Sequence, residues 1–376
     1  MSWDFDTVVD RRGTGSDKWD AYAGRDVVPM WVADMDFRAP PPLLEALHRR
    51  VDHGVFGYTS ATAEVVEAAC AMLAEHYHWD VSPDWLVWLP GLVPGLHVAC
   101  TAFGDDGDEV LTMTPVYPPF LQAPARARRR LVAVPLADAG GAIDFDALEA
   151  AVTPASRVLM LCSPQNPTGR VYCAAELGLL GEFCLRHDLI LVSDEIHCGL
   201  VLEPGVRHRP AATAHPGVAE RSVTLIAPSK TYNIPGLGCS LAIIPDPDLR
   251  RRFRRARAGF VPDVNVLGYT AALAAWRDCD DWHAALIAYL RGNRDRVRAV
   301  VSAHPDLSMQ NPDATYLAWI DCRALGVEDP ARVFEDAGLG LSDGRRFGGR
   351  GFVRLNFGCP RQTLERGLER LARVRR

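Results

Sequence analysis

Short unbroken apolar runs, separated by stretches with helical spacing, dominate the chain from residue 85 to 244. The runs are WLVWL (85–89), EVLTM (109–113), RLVAVPL (130–136), RVLMLC (157–162), LILVS (189–193), VTLIA (223–227) and SLAII (240–244). They do not alternate apolar with polar, which is the signature of strands covered on both faces. With helices between them, they predict an α/β fold with a mostly parallel sheet of about seven strands between helical layers. Upstream, Leu44, Leu47 and Val51 share one helical face, and a second helix is expected over 62–78. Downstream, 245–258 and 263–300 read as long helices. YLAWID, ARVFEDAG, FVRLNFG and a final helix from Gln362 then form a smaller α+β unit. The expected division is an N-terminal segment 1–44 joining the small domain, a large domain 45–285, and a small domain 286–376. No internal repeat or low-complexity linker interrupts it.

A length of 376 residues suits two domains, or one large domain with an annex. The net charge of −6 provides no global attraction for nucleic acid or an anionic membrane. MSWDFDTVVDRRG has no apolar leader, and no apolar run reaches the ~18 residues of a membrane span. A soluble, cytoplasmic protein is expected, without nucleic-acid or membrane partners. The ten cysteines contain no CxxC and several lie in apolar strands, so they read as reduced, buried small residues rather than metal ligands. His76 and His78 lack a third nearby ligand and read as a helix end, so no metal is expected. The arginines at 126–130 and 250–257 lack interleaved aromatics beyond Phe253 and read as solvated faces. One count changes the picture more: among 41 basic residues only Lys18 and Lys230 are lysines. Amine chemistry therefore has two side-chain candidates.

Polar clusters follow three of the apolar runs: SPQNPTG, DEIH and PSKTYN. Ligands of open parallel sheets bind outside the carboxyl ends of the strands, so Asn166, Asp194 and Lys230 are expected to be neighbours. Each also has a plainer reading: a turn before Pro167, a helix cap, a surface cation. A lysine at a buried strand end is the strongest of the three, because desolvation lowers its pKa and makes it a Schiff-base former. An acid on a ring nitrogen and an asparagine on a phenolic oxygen complete the demands of pyridoxal phosphate. Its phosphate needs amides at a helix start, which PGLVPGLHVACTAF (90–103) can supply, with Ser229 as a hydroxyl donor.

With these residues in view, the chain resembles the fold type I pyridoxal-phosphate enzymes of the class I/II aminotransferase superfamily. More narrowly, it is similar to the MalY/PatB group of carbon–sulfur β-lyases, typified by cystathionine β-lyase. The matching segments run almost end to end: KWD (18–20), PMWVADMDF (29–37), GVFGYT (54–59), TPVYPPF (114–120), SPQNPTGRVY (163–172), SDEIHCGLVL (193–202), APSKTYNIPGL (227–237), ATYLAWID (314–321) and VRLNFGCPR (353–361). The resemblance implies that Lys230 is the Schiff-base lysine, Asp194 the partner of the ring nitrogen, and Asn166 the partner of the 3-oxygen. It implies that Tyr117 stacks on the ring. Leu92 and Val93 would offer amides to the phosphate. Tyr58 would reach the site of a neighbouring subunit in a homodimer with shared active sites. Arg354 would fork the substrate carboxylate, with Asn166 and Tyr58 nearby. Lys230, Asp194 and Tyr117 form the implied catalytic set.

Two departures stand out. His197 replaces a tyrosine common in the superfamily, as in the β-lyase group, and remains a cofactor contact. Gly238 replaces a phosphate-binding arginine. The resemblance also implies cis bonds at Thr114–Pro115 and Asn166–Pro167. The implied reaction is α,β-elimination of cystathionine or a cysteine S-conjugate to thiol, pyruvate and ammonia. An aminotransferase using the same residues is the alternative, and a pyridoxal-phosphate-binding regulatory protein a more distant one.

Overall fold

The computed structural model describes residues 3–374. Seven strands form the main sheet: β1 (Leu86–Leu89), β2 (Glu109–Thr114), β3 (Arg130–Pro135), β4 (Ser156–Cys162), β5 (Ile190–Asp194), β6 (Ser222–Ile226) and β7 (Ser240–Ile243). Every one of the seven apolar runs became a strand. Their order is β1-β7-β6-β5-β4-β2-β3, parallel throughout except for β7, which is antiparallel to both neighbours.

The unbroken runs follow from cover on both faces. Successive side chains point to opposite sides. Val110, Val158, Val192 and Val223 pack with Leu96, Ala99 and Phe253 on one side. Leu111, Leu159 and Leu191 pack with Leu177, Leu180 and Phe183 on the other. Only the edge strand β3 is substantially exposed.

A third apolar cluster joins the N-terminal segment, helices Pro41–His53, Ala63–Tyr77, Val266–Asp278 and Asp280–Ala303, and the small unit. That unit holds a four-stranded antiparallel sheet in the order Ser342–Asp343, Phe352–Asn356, Leu317–Asp321 and Ser308–Met309. Val28–Pro29 pairs in parallel with Leu339–Gly340, which ties the N-terminal segment to it.

Two expectations need correction. The helix expected over 263–300 is two helices, broken at Cys279, whose ψ of 16° leaves the helical range. The first helix packs on Pro41–His53 and Ala63–Tyr77, while the second continues toward the small unit, so one straight rod cannot serve both. Asn166–Pro167 is trans; the cis bonds are Thr114–Pro115 and Ser163–Pro164. The NPTG turn closes instead by the Gly169 amide on Gln165 O at 2.8 Å, with Gly169 at φ 77°.

Other motifs resolve simply. The basic run forms helix Pro247–Arg257, with Leu249 and Phe253 inward and most of its arginines outward. His78 ends helix Ala63–Tyr77 at φ 52°. All ten cysteines are free; eight are buried, Cys70 is half-buried and Cys173 is exposed. Cys173 therefore departs from the expected burial because it sits outside the strands, capping helix Ala174–Arg186.

Candidate active site

The carboxyl ends of β4, β5 and β6 lie side by side, since Cys162 is in register with Asp194 and Asp194 with Leu225. The topology thus brings SPQNPTG, DEIH and PSKTYN to one edge.

Asp194 is 4% exposed. Its Oδ1 accepts the Ile196 amide at 3.1 Å, and among the described residues no cation pairs with it. Burial raises its pKa to about 7, against the opposing pull of the Ile196 bond and of Lys230. A buried carboxyl with no cation suits an N–H⁺ ring partner.

Lys230 lies beyond β6 and donates from Nζ to Ala33 O at 2.7 Å. Desolvation lowers its pKa to about 8. Asp34 and Asp194 pull upward and Arg354 pushes downward. The amine is therefore neutral for a large fraction of molecules at mildly alkaline pH.

Arg354, on strand Phe352–Asn356, is buried with no carboxylate in ion-pair range among the described residues. Nη1 donates to Asn166 Oδ1 at 2.9 Å, Nη2 to Trp31 O at 2.9 Å, and Nε has no partner. The guanidinium lies over the Phe347 ring, 4.6 Å from its centroid. Burial lowers its pKa to about 10. Buried charges are ordinarily paired, so this one is set up for an anion that the chain itself does not supply.

His197 is buried and its Nδ1 lacks a partner. Burial, then the charges of Lys230 and Arg354, push its pKa down to about 3, so the ring is neutral. Tyr117, just before helix Pro118–Arg126, is half-buried, and burial and Asp194 raise its pKa. Leu92 and Val93 open helix Leu92–Ala102, whose N-cap Gly91 provides no side chain to the first-turn amides. A Cβ at Gly91 would meet nothing closer than Pro94 Cδ at 3.6 Å, so the cradle is open. Ser229 is buried one residue before Lys230. Gly238 adopts φ 58°, a conformation that an arginine would adopt only with strain.

The ring-facing acid, the amine, the neutral imidazole and the uncapped helix start fit pyridoxal phosphate. Tyr58 alone stands apart. It is fully exposed, beside exposed Val55 and Phe56, and the chain does not bring it to its own site.

Sequence reasoning missed the wall opposite Lys230. Segment 30–37 is pinned by side chains distant in sequence: Tyr316, Asn356, Asn233, Lys18 and Arg11. Most bonds run to its backbone carbonyls, which carry no residue-type signal. MWVADMDF was legible only as a motif. A cavity of about 800 Å³ lies elsewhere, between Phe103, Asp188, Arg221 and Phe260, and holds none of the expected site residues.

The aminotransferase class I and II family matches residues 25–371. PatB of Bacillus subtilis (strain 168), named as a cystathionine β-lyase, is 40% identical over 381 residues, covering 98% of each chain. The crystal structure of OvoB superposes with a TM-score of 0.96 at 48% identity, covering 99% of this chain and 98% of that one. Cystalysin of Treponema denticola, solved with a pyridoxal 5'-phosphate cofactor, gives 0.94 at 35% identity, covering 99% and 98%.

Proposed function

The chain belongs to the aminotransferase class I and II family, and from that premise we propose that it is a pyridoxal-phosphate-dependent carbon–sulfur β-lyase. Its substrate is cystathionine or another cysteine S-conjugate, eliminated to thiol, pyruvate and ammonia. One observation carries the reading: a buried guanidinium without a carboxylate, Arg354, shares a site with the strand-end amine of Lys230.

The cofactor's contribution when bound is an electron sink at the substrate Cα. The chain's residues do the rest. Arg354 takes the α-carboxylate as a two-pronged fork, oriented by Asn166 and by Trp31 O. Lys230 would hold the cofactor, and its Nζ, when free, would take the Cα proton; a base with a pKa of about 8 is suited to that near neutral pH. Asp194 would hold positive charge at the cofactor's ring nitrogen. His197 stays neutral and so adds no charge that would compete with it. Tyr117 would stack on the cofactor ring, and Ser229 with the Leu92 and Val93 amides would hold its phosphate.

The exposed patch of Val55, Phe56 and Tyr58 supports a homodimer in which Tyr58 would complete the second subunit's phosphate site. The division at residues 44 and 285 belongs to the same reading: Val28–Pro29 pairs with the small unit, and the carbonyls near Ala33 take donors from both domains.

The test is turnover of cystathionine by the holoenzyme without any oxo acid. Pyruvate, ammonia and thiol should appear in equal amounts. Sustained turnover only with an oxo-acid acceptor, and no thiol from sulfur amino acids, would replace the lyase with an aminotransferase.

A further inference from the structure

Six consecutive backbone carbonyls, from Met30 to Met35, are each held by a group far away in sequence. Met30 O accepts the Asn356 amide at 2.9 Å. Trp31 O accepts Arg354 Nη2 at 2.9 Å and Ser342 Oγ at 2.8 Å. Val32 O and Asp34 O accept the Asn356 side chain at 2.5 and 2.7 Å. Met35 O accepts Asn233 Nδ2 at 2.9 Å. Between them, Ala33 O accepts two donors: Lys230 Nζ at 2.7 Å and the Tyr316 hydroxyl at 2.9 Å. This segment therefore carries both basic groups of the site on carbonyls two residues apart, Arg354 on Trp31 and Lys230 on Ala33.

A neutral amine has two N–H bonds and one lone pair. Fixing one N–H on Ala33 O restricts where the lone pair can point. The carbonyl can do this only if it is itself fixed, and Lys230, on a flexible four-carbon stem, cannot fix it. Tyr316 can: its ring is fully buried and meets His197 edge-on with centroids 6.2 Å apart. The charged and titratable groups facing Lys230 are Asp34, Asp194, Arg354 and His197; Tyr316 adds a neutral donor, held protonated by burial.

We infer that Tyr316 is a positioning residue, acting through the Ala33 carbonyl to aim the free amine of Lys230. The inference rests on the lyase reading only in taking Lys230 as the reactive amine.

The experiment uses Tyr316→Phe, which keeps the ring and removes the donor. Apoprotein is mixed with pyridoxal 5'-phosphate, and growth of the imine absorbance is timed; borohydride then fixes the label for peptide mapping. Holoenzyme is separately given L-alanine in deuterium oxide, and Cα–H exchange is followed by NMR. Misplacing a reacting group by about 1 Å can cost up to ~10²-fold, so both rates should fall by about tenfold. One label per chain should remain on Lys230, KM should hold while kcat falls, and the Cα–H isotope effect should rise. Asn233→Gly keeps the positive φ at that position and frees Met35 and Phe37, so it should give a smaller effect of the same kind. Wild-type imine and exchange rates in a folded variant overturn the role of Tyr316. Absence of label on Lys230 in the wild type overturns the pyridoxal-phosphate reading instead.

Discussion

The two lysines of this chain occupy buried regions that differ in one respect. Lys18 is 1% exposed and donates to Asp36 Oδ2 at 2.7 Å, where Arg11 and the Trp19 indole also donate. Lys230 has a neutral carbonyl as its direct partner, 2.7 Å away, and carboxylates act on it only from further off. Burial is common to both; the ion pair is not. An amine becomes a nucleophile when it is desolvated without a counter-charge in contact, and a buried amine in contact with a carboxylate stays a structural cation.

The largest effect should come from Lys230→Ala. Loss of a positioned base costs about 10²–10⁴ in rate, and loss of the covalent anchor adds to this. Thiol release should drop to background, and borohydride should fix no label. Label on Lys18 in the wild type would erase the contrast.

Lys18→Met should do the reverse. Removing one partner of a buried pair costs ~3–5 kcal/mol, and here the low end is expected because Arg11 and Trp19 stay on Asp36. Denaturant melts should show the loss, while folded protein still labels at Lys230. An unchanged midpoint would mean that the Lys18–Asp36 pair is not stabilising.

Asp194→Asn tests the charge on the other side of the site. A neutral amide cannot hold the ring nitrogen protonated, so kcat should fall by at least about tenfold in a protein that melts normally. Near-wild-type turnover would remove Asp194 from the site.

Arg354→Lys keeps the charge and loses the fork. Each charge-assisted bond is worth about 1.5–3 kcal/mol, so KM for the amino acid should rise roughly tenfold or more. An unchanged KM would move the carboxylate site elsewhere.

The mildest test is pH. The neutral amine is the nucleophile, and it is protonated below its pKa of about 8. Imine formation by the apoprotein should rise about tenfold per unit up to pH ~8 and then level. A rise that continues past 10 would mean that Lys230 is solvated as freely as an ordinary surface lysine.

The sequence by itself determined the sheet and the gathering of its polar clusters at one edge. Strands buried on both faces must be apolar without interruption, so all seven runs were visible as such. Asn166, Asp194 and Lys230 follow three of those runs, and the rule for strand ends makes them neighbours. Lys230 stands out further, because it is one of only two lysines in the sequence and follows an apolar run. The break at Cys279 was not legible, because no proline or glycine marks it; the change of packing partners does.

Only the tertiary structure decided what Lys230 touches. Tyr316 meets Ala33 across 283 residues, Asn356 meets Val32 across 324, and Lys230 meets Ala33 across 197. These bonds end on main-chain carbonyls, which every residue possesses, so no spacing or residue type announces them. The same holds for Arg354: a sequence states that a guanidinium is present, while the absence of a carboxylate in ion-pair range among the described residues is a property of the folded chain alone.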